Sequence, residues 1–106
     1  MKFTRLNLII LLIYPLIYNQ LQSQNLNGDK FVVVLDAGHG GKDPGNTGNG
    51  YYEKNIALNI ALAIGKKLEL NKDIRTIFTR KTDVFVDLFQ RANIANSANA
   101  DLFISI

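Results

Sequence analysis

The sequence predicts an α/β fold: an open, mostly parallel sheet with helices on both faces. Apolar, β-branched runs recur at residues 31–35, 74–79 and 102–106, and segments with a helical hydrophobic period separate them. The first run is continuous rather than alternating, as expected for a strand covered on both faces. It opens directly into a glycine-rich loop, as strands of parallel sheets do where they carry a site. The order strand, helix, strand, helix, strand implies right-handed crossovers.

Residues 1–23 read as a secretory signal peptide. Lys2 and Arg5 precede an apolar run over residues 6–18 that Pro15 interrupts. That run is shorter than the roughly 20 residues a membrane-spanning helix needs. Cleavage is expected near Ser23-Gln24, leaving no stable membrane span; a retained membrane anchor is the competing reading. Residues 24–30 are polar and read as a short linker, and residues 31–106 form the first part of one domain.

Within that domain, the loop over residues 37–52 holds six glycines together with Pro44, Asn46 and Asn49, and is expected to lack regular structure. A helix is predicted from Glu53 to about Leu70, with Ile56, Ile60, Ala63, Ile64 and Leu68 facing inward. A strand over 74–79 follows. A second helix over about 87–98 has Leu88, Ile94 and Ala95 inward and Asp87 favouring its N-terminus. The sequence ends inside the third apolar strand, so it is expected to be a fragment or an early-terminated chain, truncated before the domain is complete.

Composition excludes several classes of function. Of the twelve Lys and Arg residues, two lie in the signal segment, which leaves ten against nine acidic residues and a net charge of +1 from Gln24 onward. With no basic block interleaved with aromatics, nucleic acid is not an expected partner. The absence of cysteine rules out disulfides and thiolate zinc ligation, so any metal must be held by nitrogen and oxygen. Nucleotide-binding patterns fail on spacing: Gly38-His39-Gly40 begins a Gly-x-Gly-x-x-Gly string whose sixth position is Asp43, and Gly41-Lys42 is followed by Asp43 where a Walker loop needs Ser or Thr.

The chemistry concentrates in Asp36-Ala37-Gly38-His39-Gly40-Gly41. His39 is the one histidine of the chain and lies just past the end of the first strand, where open parallel sheets bind ligands. Gly38, Gly40 and Gly41 allow tight turns and close backbone approach. A surface histidine in a flexible turn is the bland alternative. Glu53, at the start of the first helix, is favoured there by the helix dipole alone; paired with His39 it becomes a candidate oxygen ligand for zinc. Catalytic zinc usually keeps three protein ligands, and Asp36 and Asp43 are weak substitutes for the third. Asp36 could instead accept a hydrogen bond from the His39 ring and fix its tautomer.

Residues 33–45, Val-Val-Leu-Asp-Ala-Gly-His-Gly-Gly-Lys-Asp-Pro-Gly, followed by Glu53-Lys54-Asn55, resemble the opening of the zinc-dependent N-acetylmuramoyl-L-alanine amidases of the type 3 family. The resemblance continues through Thr79-Arg80, Asp83, Arg91, Ala95-Asn96 and residues 100–106, with Ala37 standing where proline is more usual. It implies that His39 and Glu53 are zinc (Zn2+) ligands. It also implies a second histidine immediately after Ile106 as third ligand, and a catalytic base glutamate further on; no catalytic base is therefore assigned within these residues. The implied reaction is hydrolysis of the amide between N-acetylmuramic acid and L-alanine in peptidoglycan, by an exported protein of the periplasm or the extracellular cell envelope. The chain alone is expected to be inactive, and the alternative is a non-catalytic peptidoglycan-binding module or a degenerate fragment. Arg80, Asp83 and Arg91 read as loop-bracing ion pairs or helix-end charges of the modest, surface kind.

Overall fold

The computed structural model describes residues 28–106. The predicted signal peptide and most of the predicted linker lie outside the described residues; Gly28, Asp29 and Lys30 are exposed. Among the described residues no helix is long and apolar enough to cross a membrane.

The elements run β1 (Phe31–Asp36), β2 (Thr47–Gly48), β3 (Tyr51–Tyr52), α1 (Glu53–Leu68), β4 (Ile74–Phe78), α2 (Leu88–Ser97) and β5 (Leu102–Ser105). The main sheet has the order β4-β1-β5, with both pairings parallel. β1 is central, which explains its unbroken apolar run: Val34 and Leu35 are fully buried and Val33 is 3% exposed. In register, Leu35 stands beside Phe78 and Ile104, and Asp36 beside Ser105.

The two helices cover opposite faces, as predicted. Leu35 and Phe78 are register partners and share a face, and Phe78 packs its ring against Gly65 of α1. Asp36 and Ser105 share the other face, and Asp36 receives Arg91 from α2. The chain thus leaves β1 toward β4 on one side and returns to β5 on the other. This reversal opens a crevice at the carboxyl ends of β1 and β5.

The inward faces of the helices match the periodicity reading only in part: Ala95 is buried and Ile64, Leu68 and Ile94 are half-buried. In α1 the buried residues are Ala57, Ala61 and Gly65, a stripe of small side chains, whereas Ile56 and Ile60 are nearly half exposed and Ala63 is exposed. Small residues win this face because they let the helix backbone approach the sheet closely. A Cβ on Gly65 would overlap the Phe78 ring. In α2, Arg91 and Ala95 are buried while Leu88 is 85% exposed. The helix turns its polar Arg91 inward because a carboxylate waits there; Leu88, one turn earlier on the same side, lies at the helix start beside the crevice and stays exposed. Asp87 caps α2 by accepting the Gln90 N–H at 2.8 Å.

The loop over 37–52 is not irregular throughout. Thr47–Gly48 and Tyr51–Tyr52 pair antiparallel about Asn49-Gly50, both at positive φ (51° and 80°). Asn-Gly is the strongest short hairpin signal, because both central positions of the turn need φ > 0.

Replacing Gly65 with leucine is expected to lower the unfolding free energy by about 1–3 kcal/mol, the cost of overpacking a close contact. A urea midpoint unchanged from wild type would show that α1 does not rest on Phe78 through this glycine.

Candidate functional site

The crevice is a cavity of about 540 Å³, lined among others by His39, Asp43, Glu53, Phe85, Arg91 and Ile106. His39 lies in the left-handed region (φ 57°), followed by Gly40 (φ 120°) and Gly41 (φ 55°). A non-glycine residue there costs about 1–3 kcal/mol and persists only when its surroundings impose it. The surroundings are visible. The Gly40 N–H donates to the Asp43 carbonyl and the Asp43 N–H to the Gly40 carbonyl, at 2.9 and 3.0 Å. A side chain on Gly40 would overlap the Val84 carbonyl oxygen, and one on Gly41 would press on the Phe85 backbone. The Gly38 N–H donates to the Ile106 carbonyl at 2.9 Å, so the end of β5 lies against the same loop.

Asp43 orients the imidazole. Its Oδ2 lies 2.8 Å from His39 Nδ1, while Oδ1 accepts the Gly45 N–H at 3.0 Å. This corrects the expectation for Asp36, which does not touch the ring. With Nδ1 turned to a carboxylate, Nε2 is directed at Glu53 Oε2, 3.3 Å away. The bond to Asp43 is the leading cause that holds the His39 pKa above its ordinary value, with Glu53 adding to it. Asp43 is held below the usual carboxylate range, first by His39 and then by the Gly45 N–H.

The hairpin brings Glu53 to this position. The Glu53 and Lys54 N–H groups, orphan donors of the first turn of α1, donate to the carbonyls of Asn46 (3.0 Å) and Pro44 (3.1 Å). In return the Asn46 N–H donates to Glu53 Oε2 at 2.8 Å, the main cause holding the Glu53 pKa down. Gly45 (φ 66°) leaves room for the pair, since a Cβ there would come within 2.8 Å of both Glu53 Oε2 and the His39 ring. Gly45 was not singled out from sequence, although its place after Pro44 was on view.

Arg80 and Arg91 are not modest surface charges; they are 3% and 5% exposed. Arg91 Nη1 donates to Asp36 Oδ1 at 2.7 Å and to the Ala37 carbonyl at 2.6 Å. Its Nη2 donates to the His39 carbonyl at 2.8 Å, and its Nε to the Val86 carbonyl at 2.8 Å. Arg80 donates from Nε to the Ala37 carbonyl (2.9 Å) and from Nη2 to those of Gly38 (2.7 Å) and Lys54 (2.8 Å). Lys54 and Asp83, 2.6 Å apart, hold the carbonyl and N–H of Gly41. The expected bracing of the loop is present, but its main members are interior.

Asp36 therefore serves as an anchor rather than a ligand. Burial pushes its pKa up, but the hydrogen bonds from Arg91, Ser105 and Thr79 outweigh this and hold the carboxyl below its ordinary range. Among the described residues no group of three or more His, Cys, Asp or Glu could hold a metal ion. His39 and Glu53 face each other as a pair.

Residues 33–106 match the family described as N-acetylmuramoyl-L-alanine amidase. The chain belongs to this family. It is 47% identical over 75 residues to an endolysin of Bacillus phage SPP1, covering 71% of this chain and 28% of that protein. It is likewise 47% identical over 81 residues to the N-acetylmuramoyl-L-alanine amidase AmiA of Escherichia coli (strain K12), covering 76% of this chain and 28% of the relative. The crystal structure of an N-acetylmuramoyl-L-alanine amidase from Clostridium difficile 630 superposes with TM-score 0.71 and 37% identity, over 73% of this chain and 42% of that one. The chain spans less than a third of the length of these curated relatives. The parallel sheet with its flanking helices is thus part of an amidase catalytic-domain fold.

Replacing Asp36 with asparagine leaves the Arg91 charge buried without its counter-ion, a loss of about 3 kcal/mol at neutral pH. The lowered Asp36 pKa gives stability that is complete above its unfolded value, about 3.9, and that is lost as pH falls through the folded one. Denaturation followed through the acid range is expected to show a wild-type stability that declines below about pH 4. Asp36→Asn should be less stable at neutral pH and flatter in acid; parallel curves would remove Asp36 from the account.

Proposed function

We propose that His39 and Glu53 are two protein ligands of a catalytic zinc ion in a peptidoglycan amidase. The observation that carries this reading is the pair itself: Nε2 and Oε2 face each other at 3.3 Å, at the carboxyl end of a parallel strand. Because Asp43 takes the Nδ1 hydrogen, neutral His39 presents a lone pair toward a carboxylate oxygen. A proton on Nε2 joins the two in the metal-free protein, in keeping with the raised His39 pKa, and zinc can take that proton's place, since a nitrogen–oxygen set suits it in a chain without cysteine.

The third ligand is proposed to follow Ile106, whose backbone lies at Gly38 on the wall of the same cavity, with a base glutamate further along the full protein. Zinc held there would supply Lewis acidity, able to polarise an amide carbonyl and to lower the pKa of water toward about 7. The residues of this chain do the rest by placement. Asp43 keeps the His39 tautomer, the Asn46 N–H keeps Glu53 ionised and aimed inward, and Phe85, Val86 and Leu88 form an apolar wall. The substrate is the amide joining N-acetylmuramic acid to the L-alanine of the stem peptide. Export to the periplasm or cell surface, where that polymer lies, accords with the predicted signal segment.

A catalytic domain that carries the proposed third ligand and base after these residues is expected to release stem peptides from purified peptidoglycan in a zinc-dependent way, with release abolished by a chelator. Losing a residue that hydrogen-bonds a metal ligand costs roughly 10–100-fold, so losing a ligand itself, in His39→Ala or Glu53→Ala, should cost about 100-fold or more in kcat/KM. Peptidoglycan binding without release would favour a non-catalytic module instead.

A further inference from the structure

We infer that Arg91 is the positioning residue of the proposed metal site: its guanidinium sets the direction of the His39 side chain by gripping the His39 carbonyl. The inference rests on the zinc reading above. Among the described residues Arg91 is the side chain that bonds the carbonyl of His39 itself, through Nη2 at 2.8 Å. Arg80 holds the neighbouring carbonyls of Ala37 and Gly38 and does not reach it.

The geometry of a planar fork explains the choice of residue. One nitrogen, Nη1, is fixed to the end of β1 through Asp36 Oδ1 and the Ala37 carbonyl. The second, Nη2, is rigidly spaced from the first and meets the His39 carbonyl. The guanidinium thus works as a ruler between the buried strand end and the ligand residue. Fixing that carbonyl fixes the peptide plane after His39, and with φ at 57° this leaves one exit direction for the side chain. Asp43 then selects the ring orientation along it. Through Nε on the Val86 carbonyl the same side chain also ties this direction to the segment forming the apolar wall. A lysine would keep the charge and lose the span, because an ammonium cannot bond the strand end and the loop in a fixed relation.

Titrating the 106-residue chain with zinc chloride and following its single imidazole by NMR tests this, with urea unfolding of the metal-free protein as the parallel readout. Arg91→Lys should weaken zinc binding about tenfold or more, the scale of outer-shell changes. Thr79→Val removes a hydrogen bond from the same Asp36 carboxylate without touching the loop carbonyls, and should lower stability while zinc affinity stays within about twofold. Equal zinc affinity in Arg91→Lys and wild type overturns the inference, as does a loss in Thr79→Val that matches it. If Arg91→Lys does not fold, the wild-type protein decides. The Arg91 Nε–H resonance should move with zinc in step with the imidazole, and a static Arg91 signal overturns the inference. An imidazole that ignores zinc in the wild type overturns the metal reading, and this inference with it.

Discussion

Three successive carbonyl groups, those of Ala37, Gly38 and His39, leave the end of β1 and point at two buried guanidinium groups. The rest of the site depends on this arrangement. Carbonyls at a strand end with no further strand partner must be satisfied by something, and water would leave the loop free to move. Here Arg80 and Arg91 satisfy them, and the charge of Arg91 is met by Asp36. Asp36 is met in turn by the hydroxyls of Thr79 and Ser105, one from each side of the central strand. Burying an ion pair yields little net stability by itself. What this pair gives is a fixed backbone path, on which a histidine can be held in a conformation it would otherwise avoid.

The helices follow from the same constraint. α2 turns Arg91 toward the sheet to meet Asp36, while Leu88 and Phe89 at its start stay 85% and 80% exposed. α1 must come close enough for the Lys54 carbonyl to reach Arg80 and for Glu53 to reach His39. A stripe of alanine and glycine allows that approach where isoleucine would hold the helix away. The order of events along the chain is therefore strand, braced loop, hairpin, helix, each step consuming a backbone group left unpaired by the one before.

Much of this could be read in the sequence, and the parts that could not share a physical cause. Composition and periodicity gave the strands, their parallel arrangement and the approximate helix limits, because a central strand and a crossover helix impose patterns many residues long. The face each helix buries was legible only in part: Ala95 is buried as expected and Ile64, Leu68 and Ile94 are half-buried, whereas Ile56, Ile60 and Leu88 are not. Hydrophobic period counts large side chains, whereas close packing here favours small ones at Ala57, Ala61 and Gly65. The hairpin was legible in Asn49-Gly50 but hidden by the glycine content around it. His39 and Glu53 were marked by place and by residue type. The exchange of roles between Asp36 and Asp43 was not legible. Which carboxylate meets the ring depends on a reverse turn between Gly40 and Asp43 that brings residue 43 back to residue 39. Arginine burial was misjudged for a similar reason, since a cation reads as surface until the carbonyls that need it are seen.

The central claim is that this framework presets two donors for one metal ion before any metal arrives. Crystals grown with zinc and measured on both sides of its absorption edge test that most directly. The account predicts an anomalous peak within bonding distance of both His39 Nε2 and the Glu53 carboxylate, with Asp43 still on Nδ1 and Arg91 still on the His39 carbonyl. Zinc bound through Nδ1 with Asp43 displaced, or carried on surface carboxylates while the His39–Glu53 pair stays closed, would contradict it.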